Sequence, residues 1–269
     1  MTPSPGNAAP PARMRIGTGR VLMWQGGSLW IGRDTGQTGA HAHHAIQLTL
    51  APREPVRLGA GSGSDGGDGD WRQVSAAIVM PDAPHRFDGL GRPVAMVFVE
   101  PETIAGRALL ARFGSAPLSL VEDAALLQHA HALLDAFDAQ ASDEALMQRA
   151  RGIVAHLAGG NDTGLPVDRR IAAVLAWVHA RLDAPIELAD AAAVAHLSPS
   201  RFRHLFVEHT GISFRAYLLW SRVSQAMARG MAGESWTEAA QQVGFADSAH
   251  LSRTCRRMFG IAPSMLERE

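Results

Sequence analysis

Two stretches of this chain repeat one another, and the repeat restricts what the region from residue 168 onward can fold into. "SPSRFRHLFVEHTG" occupies residues 198–211, and "DSAHLSRTCRRMFG" occupies 247–260, 49 positions further on. Ser198 and Asp247 stand at the same place, as do Phe202 and Leu251, His204 and Arg253, Phe206 and Cys255, and Gly211 and Gly260. Each stretch opens with a side chain suited to cap a helix, and the first adds Pro199 at the first helical position. Each closes on glycine, which takes the left-handed conformation that stops a helix. In the first, Phe202, Leu205 and Phe206 recur at i, i+3 and i+4, which predicts an apolar back and a polar front.

A shorter helix precedes each copy, in "ELADAAAVAHLS" and "SWTEAAQQVGFADS". Ser235 and Glu238 form a capping box on the latter, and Gly244 supplies its turn. Short helix, tight turn and longer helix make a helix-turn-helix unit, whose second helix enters the major groove with its N-terminal residues first. "SFRAYLLWSRVSQAMARG" (213–230) runs between the units as one helix capped by Ser213. Its roughly sixteen helical residues give a rigid spacer of about 24 Å.

Residues from about 168 to 266 resemble the DNA-binding domain of the AraC/XylS family of transcription regulators. "GFADSAHLSRTCRRMFGIAPSML" carries the most recognisable pattern: the Gly-Phe turn, Arg253 in mid-helix, the Phe-Gly end and Pro263. "LSPSRFRHLFVEHTGISFRAYL" resembles the first half. The resemblance implies base contacts from Ser200, Arg203 and His204 in the first unit. In the second it implies them from Ser248, Ala249, His250, Ser252 and Arg253. Arg201, Arg256 and Arg257 are the expected phosphate contacts. The alternatives are plain solvated charge for Arg256 and Arg257, and capping or packing for His204. Three positions depart from the family. His196 stands in a turn that often holds glycine, and histidine tolerates positive φ better than most residues. Glu187 replaces a hydroxyl cap. Cys255 replaces an aromatic and is expected to be a small buried hydrophobe rather than a redox switch.

Upstream, the texture changes. "GRVLMWQGGSLWIGR", "AIQLTLAP", "PVRLG", "VSAAIVMP" and "PVAMVFVEP", between about 16 and 100, read as strands separated by Gly, Pro and Asp. Short strands at this spacing predict a small antiparallel barrel or jelly roll. "GAGSGSDGGDGD" (59–70) reads as a flexible hairpin loop. Residues 102 to about 158 read as helices. Leu126, Leu127, Leu133, Leu134 and Phe137 share one side, and Ser142 caps the following helix. This helical pair either covers the barrel or forms a dimer seam. The expected fold class is α+β: an antiparallel β-barrel, which resembles a cupin in "HAHHAIQ" (41–47) and "MPDAPHRF" (80–87), with a helical pair, then an all-α double helix-turn-helix domain. The expected divisions are a disordered tail over 1–15, an effector-binding and dimerisation domain over 16–160, a linker over 161–167 and the DNA-binding domain over 168–269.

Within the strand-rich half, "HAHHAIQ" (41–47) and "MPDAPHRF" (80–87) resemble the two cupin motifs, H-x-H-x₃-E and P-x-G-x₂-H. Gln47 stands at the glutamate position and Asp82 at the glycine position. Strand alternation places 41, 43 and 47 on one face. Three imidazoles suit Zn, Fe, Ni or Cu, but an amide in place of a carboxylate argues against tight divalent binding. Three readings stay open. His41, His43 and His85 hold a divalent transition metal; or His41, His43, Gln47, His85 and Arg86 line a pocket for an organic effector; or the histidines are structural. Arg86 is placed near the mouth, to pair with an acidic effector. Ile46, Leu48 and Leu50 form the opposite face and compete for the interior unless a bulge intervenes.

Charge decides little. The net charge is −1, and all 25 basic residues are arginine. Arginine forks onto phosphate and guanine, yet base composition of the genome explains the bias equally well. From residue 168 onward there are 12 Arg against 10 Asp and Glu, a weak sign of a nucleic-acid surface. The single cysteine excludes a disulfide framework. "MTPSPGNAAPPAR" lacks the apolar core of a signal peptide, and no apolar run reaches the roughly 18 residues of a membrane span. The expectation is therefore a cytoplasmic, homodimeric, non-enzymatic transcription regulator with no membrane partner. Its partners are double-stranded DNA, a small-molecule effector and, for an activator, RNA polymerase. The competing readings are a metal-binding cupin, sensor or enzyme, fused to a DNA-binding domain, and a helical domain used only for protein interaction.

Overall fold

The computed structural model describes residues 17–61, 71–159 and 168–268. The expected tail over 1–15, most of the glycine-rich loop and the linker at 161–167 lie outside the described residues.

Seven strands build the first part: β1 (Gly17–Trp24), β2 (Gly27–Gln37), β3 (Ile46–Leu50), β4 (Val56–Ala60), β5 (Trp71–Val74), β6 (Ala76–Val79) and β7 (His85–Val99). They form one sheet by antiparallel pairing, with β7 against β2, β3 and β4. The sequence offers only "PVAMVFVEP" as a strand here and leaves "PHRF" unassigned, but one strand runs through both. Leu90 and Gly91, at φ 54° and 74°, absorb a bulge where the register against β2 shifts. Two short strands are also absent from the sequence reading. β8 (Leu118–Leu120) lies among the helices and pairs with β6. β9 (Leu266–Arg268) lies in the region expected to be wholly helical and pairs in parallel with β1, Gly17 opposite Leu266.

Three helices follow β7: α1 (Ile104–Phe113), α2 (Ala124–Asp138) and α3 (Asp143–Leu157). Asp123 and Ser142 cap α2 and α3 by accepting from the amides of Leu126 and Ala145. Leu126, Leu133, Leu134 and Phe137 pack with Ile46, Leu48 and Leu50 in one core. The apolar faces of the pair are thus a cover for the sheet. This also settles the competition on β3. Every residue of β3 is buried, because the helices take Ile46, Leu48 and Leu50 while Gln47 and Thr49 face the other way.

The C-terminal part consists of α4 (Arg169–His179), α5 (Leu188–Val194), α6 (Pro199–Thr210), α7 (Phe214–Ala232), α8 (Trp236–Gln242) and α9 (Ser248–Phe259), with a 3₁₀ turn at Pro263–Met265. Ile171, Val174, Ala191, Phe202, Phe206 and Tyr217 form its first core. Val223, Met227, Ala240, Leu251, Cys255 and Phe259 form a second, together with Ala45 and Phe98 of the first part. No helix among the described residues is long and apolar enough to cross a membrane.

Candidate nucleic-acid interface and barrel pocket

The two repeated stretches fold alike. The Ser198 hydroxyl accepts from the Arg201 amide at 3.4 Å, and the Asp247 carboxylate accepts from the His250 amide at 2.6 Å. Gly211 and Gly260 end α6 and α9 at φ 79° and 70°. The turn before α9 uses Gly244 at φ 81°, and the turn before α6 uses His196 at φ 54°. The same corner is made twice, once by a residue that pays about 1 kcal/mol for it. α5 lacks a hydroxyl cap, and Asp190 compensates by accepting from the Glu187 amide at 3.3 Å.

Ser200, Arg201, Arg203 and His204 are all exposed on α6. On α9, Ala249, Arg253 and Arg256 are exposed, while Ser248, His250 and Ser252 are half-buried. The His250 ring stands edge-on to Phe245, with centroids 5.0 Å apart. Among the described residues, no carboxylate or other side chain engages the guanidinium of Arg201, Arg203, Arg253 or Arg256. Arg53, Arg57 and Arg229 elsewhere are ion-paired. Arg257 is exposed as well. It lines a groove between α9 and residues 40–44, on the sheet side.

Residues 191–269 match the helix-turn-helix domain family. This is an AraC-type helix-turn-helix domain. Two curated relatives are HTH-type transcriptional regulators of Escherichia coli K12. YidL is 35% identical over 100 residues, covering 37% of this chain and 34% of its own. YpdC is 32% identical over 88 residues, covering 32% and 31%. The matches thus span about a third of each relative. Among solved structures, an apo form of a ToxT variant from Vibrio cholerae covers 91% of this chain and 97% of its own, with a TM-score of 0.58 at 10% identity. Wild-type ToxT of the same species in its unsaturated-fatty-acid-bound form covers 93% and 96%, with a TM-score of 0.51 at 13% identity. The β-domain followed by an AraC-type domain is therefore a shared two-domain fold.

His41, His43, Gln47 and His85 do converge in the β-domain, though not by strand alternation, since residues 42–45 are irregular. His41 and His85 exchange backbone hydrogen bonds of 3.0 and 2.9 Å, which brings their rings to 4.2 Å. The His43 ring lies 5.0 Å from that of His85. Each Nδ1 faces a backbone carbonyl: that of Gly39 at 2.8 Å for His41, Ala45 at 2.9 Å for His43 and Ala83 at 2.9 Å for His85. An Nδ1–H donating there leaves each Nε2 with a free lone pair. The Gln47 amide sits 3.0 and 3.3 Å from Nε2 of His43 and His85, and 3.0 Å from the Thr49 hydroxyl. In the ion-free cluster a half-turn that offers its NH₂ to the Nε2 lone pairs of His43 and His85 and its carbonyl to Thr49 satisfies every partner; an ion on those lone pairs would require the carbonyl toward the rings instead.

Burial, with repulsion from His85, lowers the pKa of His41 to about 3. Burial likewise holds His43 and His85 below the ordinary histidine range. All three rings are neutral near pH 7, and their ligand atoms lie within 4.8 Å of one another. Such a set fits a divalent transition ion, held by His41, His43 and His85. Asp82, at the cupin glycine position, has φ 55°, so the backbone shape survives the substitution. Arg86 does not belong to the cluster. His85 and Phe87 face the interior, so alternation turns Arg86 to the other face of the sheet, where it is buried with its guanidinium 4.9 Å from the Trp71 ring.

What closes the cluster was not found in the sequence. Phe259, the last residue of α9, lies 4.6 Å from Trp30 and 6.1 Å from Phe98. Trp220 of α7 lies 5.8 Å from His43. A cavity of about 100 Å³ beside the histidines is walled by Trp30, His41, Phe98 and Met96 on one side, and by Met231, Phe259 and Ile261 of the AraC-type domain on the other. A Cβ on Gly260 would fall 2.4 Å from the Gly39 carbonyl and 2.8 Å from His41 Nδ1, so this docking requires glycine. In the sequence, "MFGIAP" signalled only a helix stop. Cys255 is buried with its sulfur 3.5 Å from that of Met227, and burial pushes its thiol pKa up. It fills space, as expected.

Proposed function

We propose that this chain is a sequence-specific, non-enzymatic, DNA-binding transcription regulator controlled through its β-domain. The observation that supports DNA reading is the pair of exposed helix starts, α6 and α9, each presenting unpaired guanidinium groups. Ser200, Arg203, His204, Ser248, Ala249, His250, Ser252 and Arg253 face the bases, and Arg201 and Arg256 the phosphates. The control region spans 16–160 and the reading region 168–269. A cytoplasmic homodimer, with RNA polymerase as partner where it activates, belongs to the same reading.

The effector site is the cavity between the sheet and Phe259. Its lining of Trp30, Met96, Phe98 and Phe259 suits a small apolar group. A larger apolar effector enters by displacing the Phe259 ring and so moves the end of α9. The same fold in ToxT has been solved with an unsaturated fatty acid bound, which supports a small-molecule site here. The convergent Nε2 atoms favour a second reading, in which a divalent ion ties residues 41–43 to β7 and supplies a rigid cross-link. Metal analysis of the purified protein tests it: a stoichiometric ion lost in His43→Ala supports it, and a metal-free protein that takes up none from buffer removes it.

The test of DNA reading is selection of genomic fragments on the full-length protein, followed by sequencing. Enrichment of paired motifs about one helical turn apart is expected. No enrichment, with the full chain or with residues 165–269, overturns the reading.

A further inference from the structure

A second cleft, of about 530 Å³, opens between the β-domain and the AraC-type domain. Trp24, Phe98 and Glu100 line it from the sheet, and His179, Trp220 and Ser224 from α4 and α7. Its size is that of a small-molecule site.

Its charge is unbalanced. Glu100 is buried, and no described N–H or O–H donates to its carboxylate. The nearest cationic side chain is His179, whose Nε2 lies 3.7 Å from Oε1. At 3.7 Å that pair is too long for a hydrogen bond, and the nitrogen has the Tyr217 hydroxyl as its partner at 2.9 Å. Burial also holds His179 below its ordinary pKa, and therefore neutral. Two residues on, Glu102 is buried as well and takes His44 Nε2 at 2.9 Å, while its Oε1 has no partner. Two carboxylates thus face at most one positive charge. No arginine lines the cleft among the described residues, and the chain has no lysine. The Ser224 hydroxyl, on a residue only 6% exposed, also lacks a partner. Trp24, Phe98 and Trp220 set three aromatic rings into a wall whose side chains, Glu100 apart, are otherwise small or neutral, and ring faces attract cations.

We propose that this cleft binds a small organic cation, an amine bearing a short apolar group. Its ammonium sits against Glu100 and Ser224, and its apolar part against Trp24, Phe98 and Trp220. It supplies the missing charge and the missing donor together. Since α7 joins the two helix-turn-helix units, an occupant also fastens that helix to the sheet.

Thermal unfolding and calorimetric titration of the full-length protein near pH 7.5 test this, with n-butylamine, n-hexylamine and choline set against 1-butanol and 1-hexanol. The amines are expected to raise the melting temperature in proportion to dose, and the alcohols to leave it unchanged. Glu100→Gln keeps the side-chain shape, removes the unpaired charge, and is expected to bind the amines roughly tenfold or more weakly while staying folded. Ser224→Ala, which leaves the carboxylates alone, is expected to weaken binding by a smaller factor. The proposal is overturned if amines and alcohols shift the melting equally, if neither shifts it, or if Glu100→Gln binds the amines as well as the parent does.

Discussion

Helices α6 and α9 carry equivalent residues but bury them against different neighbours. Around α6 the core is drawn from residues 171–218, all within the AraC-type domain. Around α9 the wall includes Trp30, Ala45, Met96 and Phe98 of the β-domain. One repeat thus yields a reader whose apolar core is its own, touched by the β-domain through polar contacts such as Arg107 on the His209 carbonyl, and a reader whose apolar packing depends on the sensor. Local sequence sets the element, and long-range packing sets its autonomy. A signal entering at the histidine cluster meets α9 before it meets α6.

The strongest way to break this comparison is Phe259→Ala. The change strips a buried ring from Trp30, Phe98 and Trp220, and should cost about 3–5 kcal/mol in denaturant unfolding. Hydrogen exchange should then rise in α8, α9 and β9 while α4–α6 stay protected. Equal loss of protection in both units would mean that they are not differently anchored.

At the DNA surface the two units should behave alike. Arg203→Ala and Arg253→Ala should each cost about 1–3 kcal/mol and relax preference at one base position. Binding assays over single-base operator variants check this. A uniform loss across all variants would reassign the arginine to phosphate.

Glu100 sharpens the contrast from the other side, since it faces α4 and α7 of the first unit. Burial, reinforced by Glu102, raises its folded pKa above the ordinary 4.5. The folded state therefore holds the proton more tightly. Stability is fully present below pH 4.5 and is lost as pH rises through the folded pKa, by at most about 1.4 kcal/mol per pH unit. Glu100→Gln should exceed the parent in stability near pH 7.5 and match it near pH 4.5, as measured by unfolding at both. An advantage that does not change with pH would mean that Glu100 does not titrate on folding.

The smallest effects belong to the caps. Ser198→Ala and Asp247→Ala should each cost about 1 kcal/mol. Caps act within one turn, so the two costs should agree despite the different cores; melting curves of the pair decide it.

The helical repeat was legible because its signals are local: a capping side chain, an apolar stripe, a glycine. His196 shows how far this reaches, since its positive φ follows from its place in the turn. The histidine constellation was legible as spacing, yet the chain assembles it by a bridge between His41 and His85 rather than by alternation. Arg86 was misplaced for a related reason. One-residue parity decides inside from outside, and with "PHRF" assigned to no strand there was no parity to read. The bulge at Leu90 hid the continuity of β7. Nothing in residues 259–268 announced that they close a cavity and extend a sheet, because their β-domain partners lie more than 150 positions away. The helical pair was readable as amphipathic, but a stripe does not name what it covers.

The parallel pairing of β9 with β1 has a consequence for solubility. β1 hydrogen-bonds to β2 along one side, and among the described residues only Gly17, Thr18 and Gly19 are paired along the other, by residues 266–268. Any motion that swings the AraC-type domain away bares an unpaired strand border, the kind of edge on which chains aggregate or exchange strands. Two of those three residues are glycines, which make a poor template for a new strand. The opened form is therefore guarded against self-association by its composition.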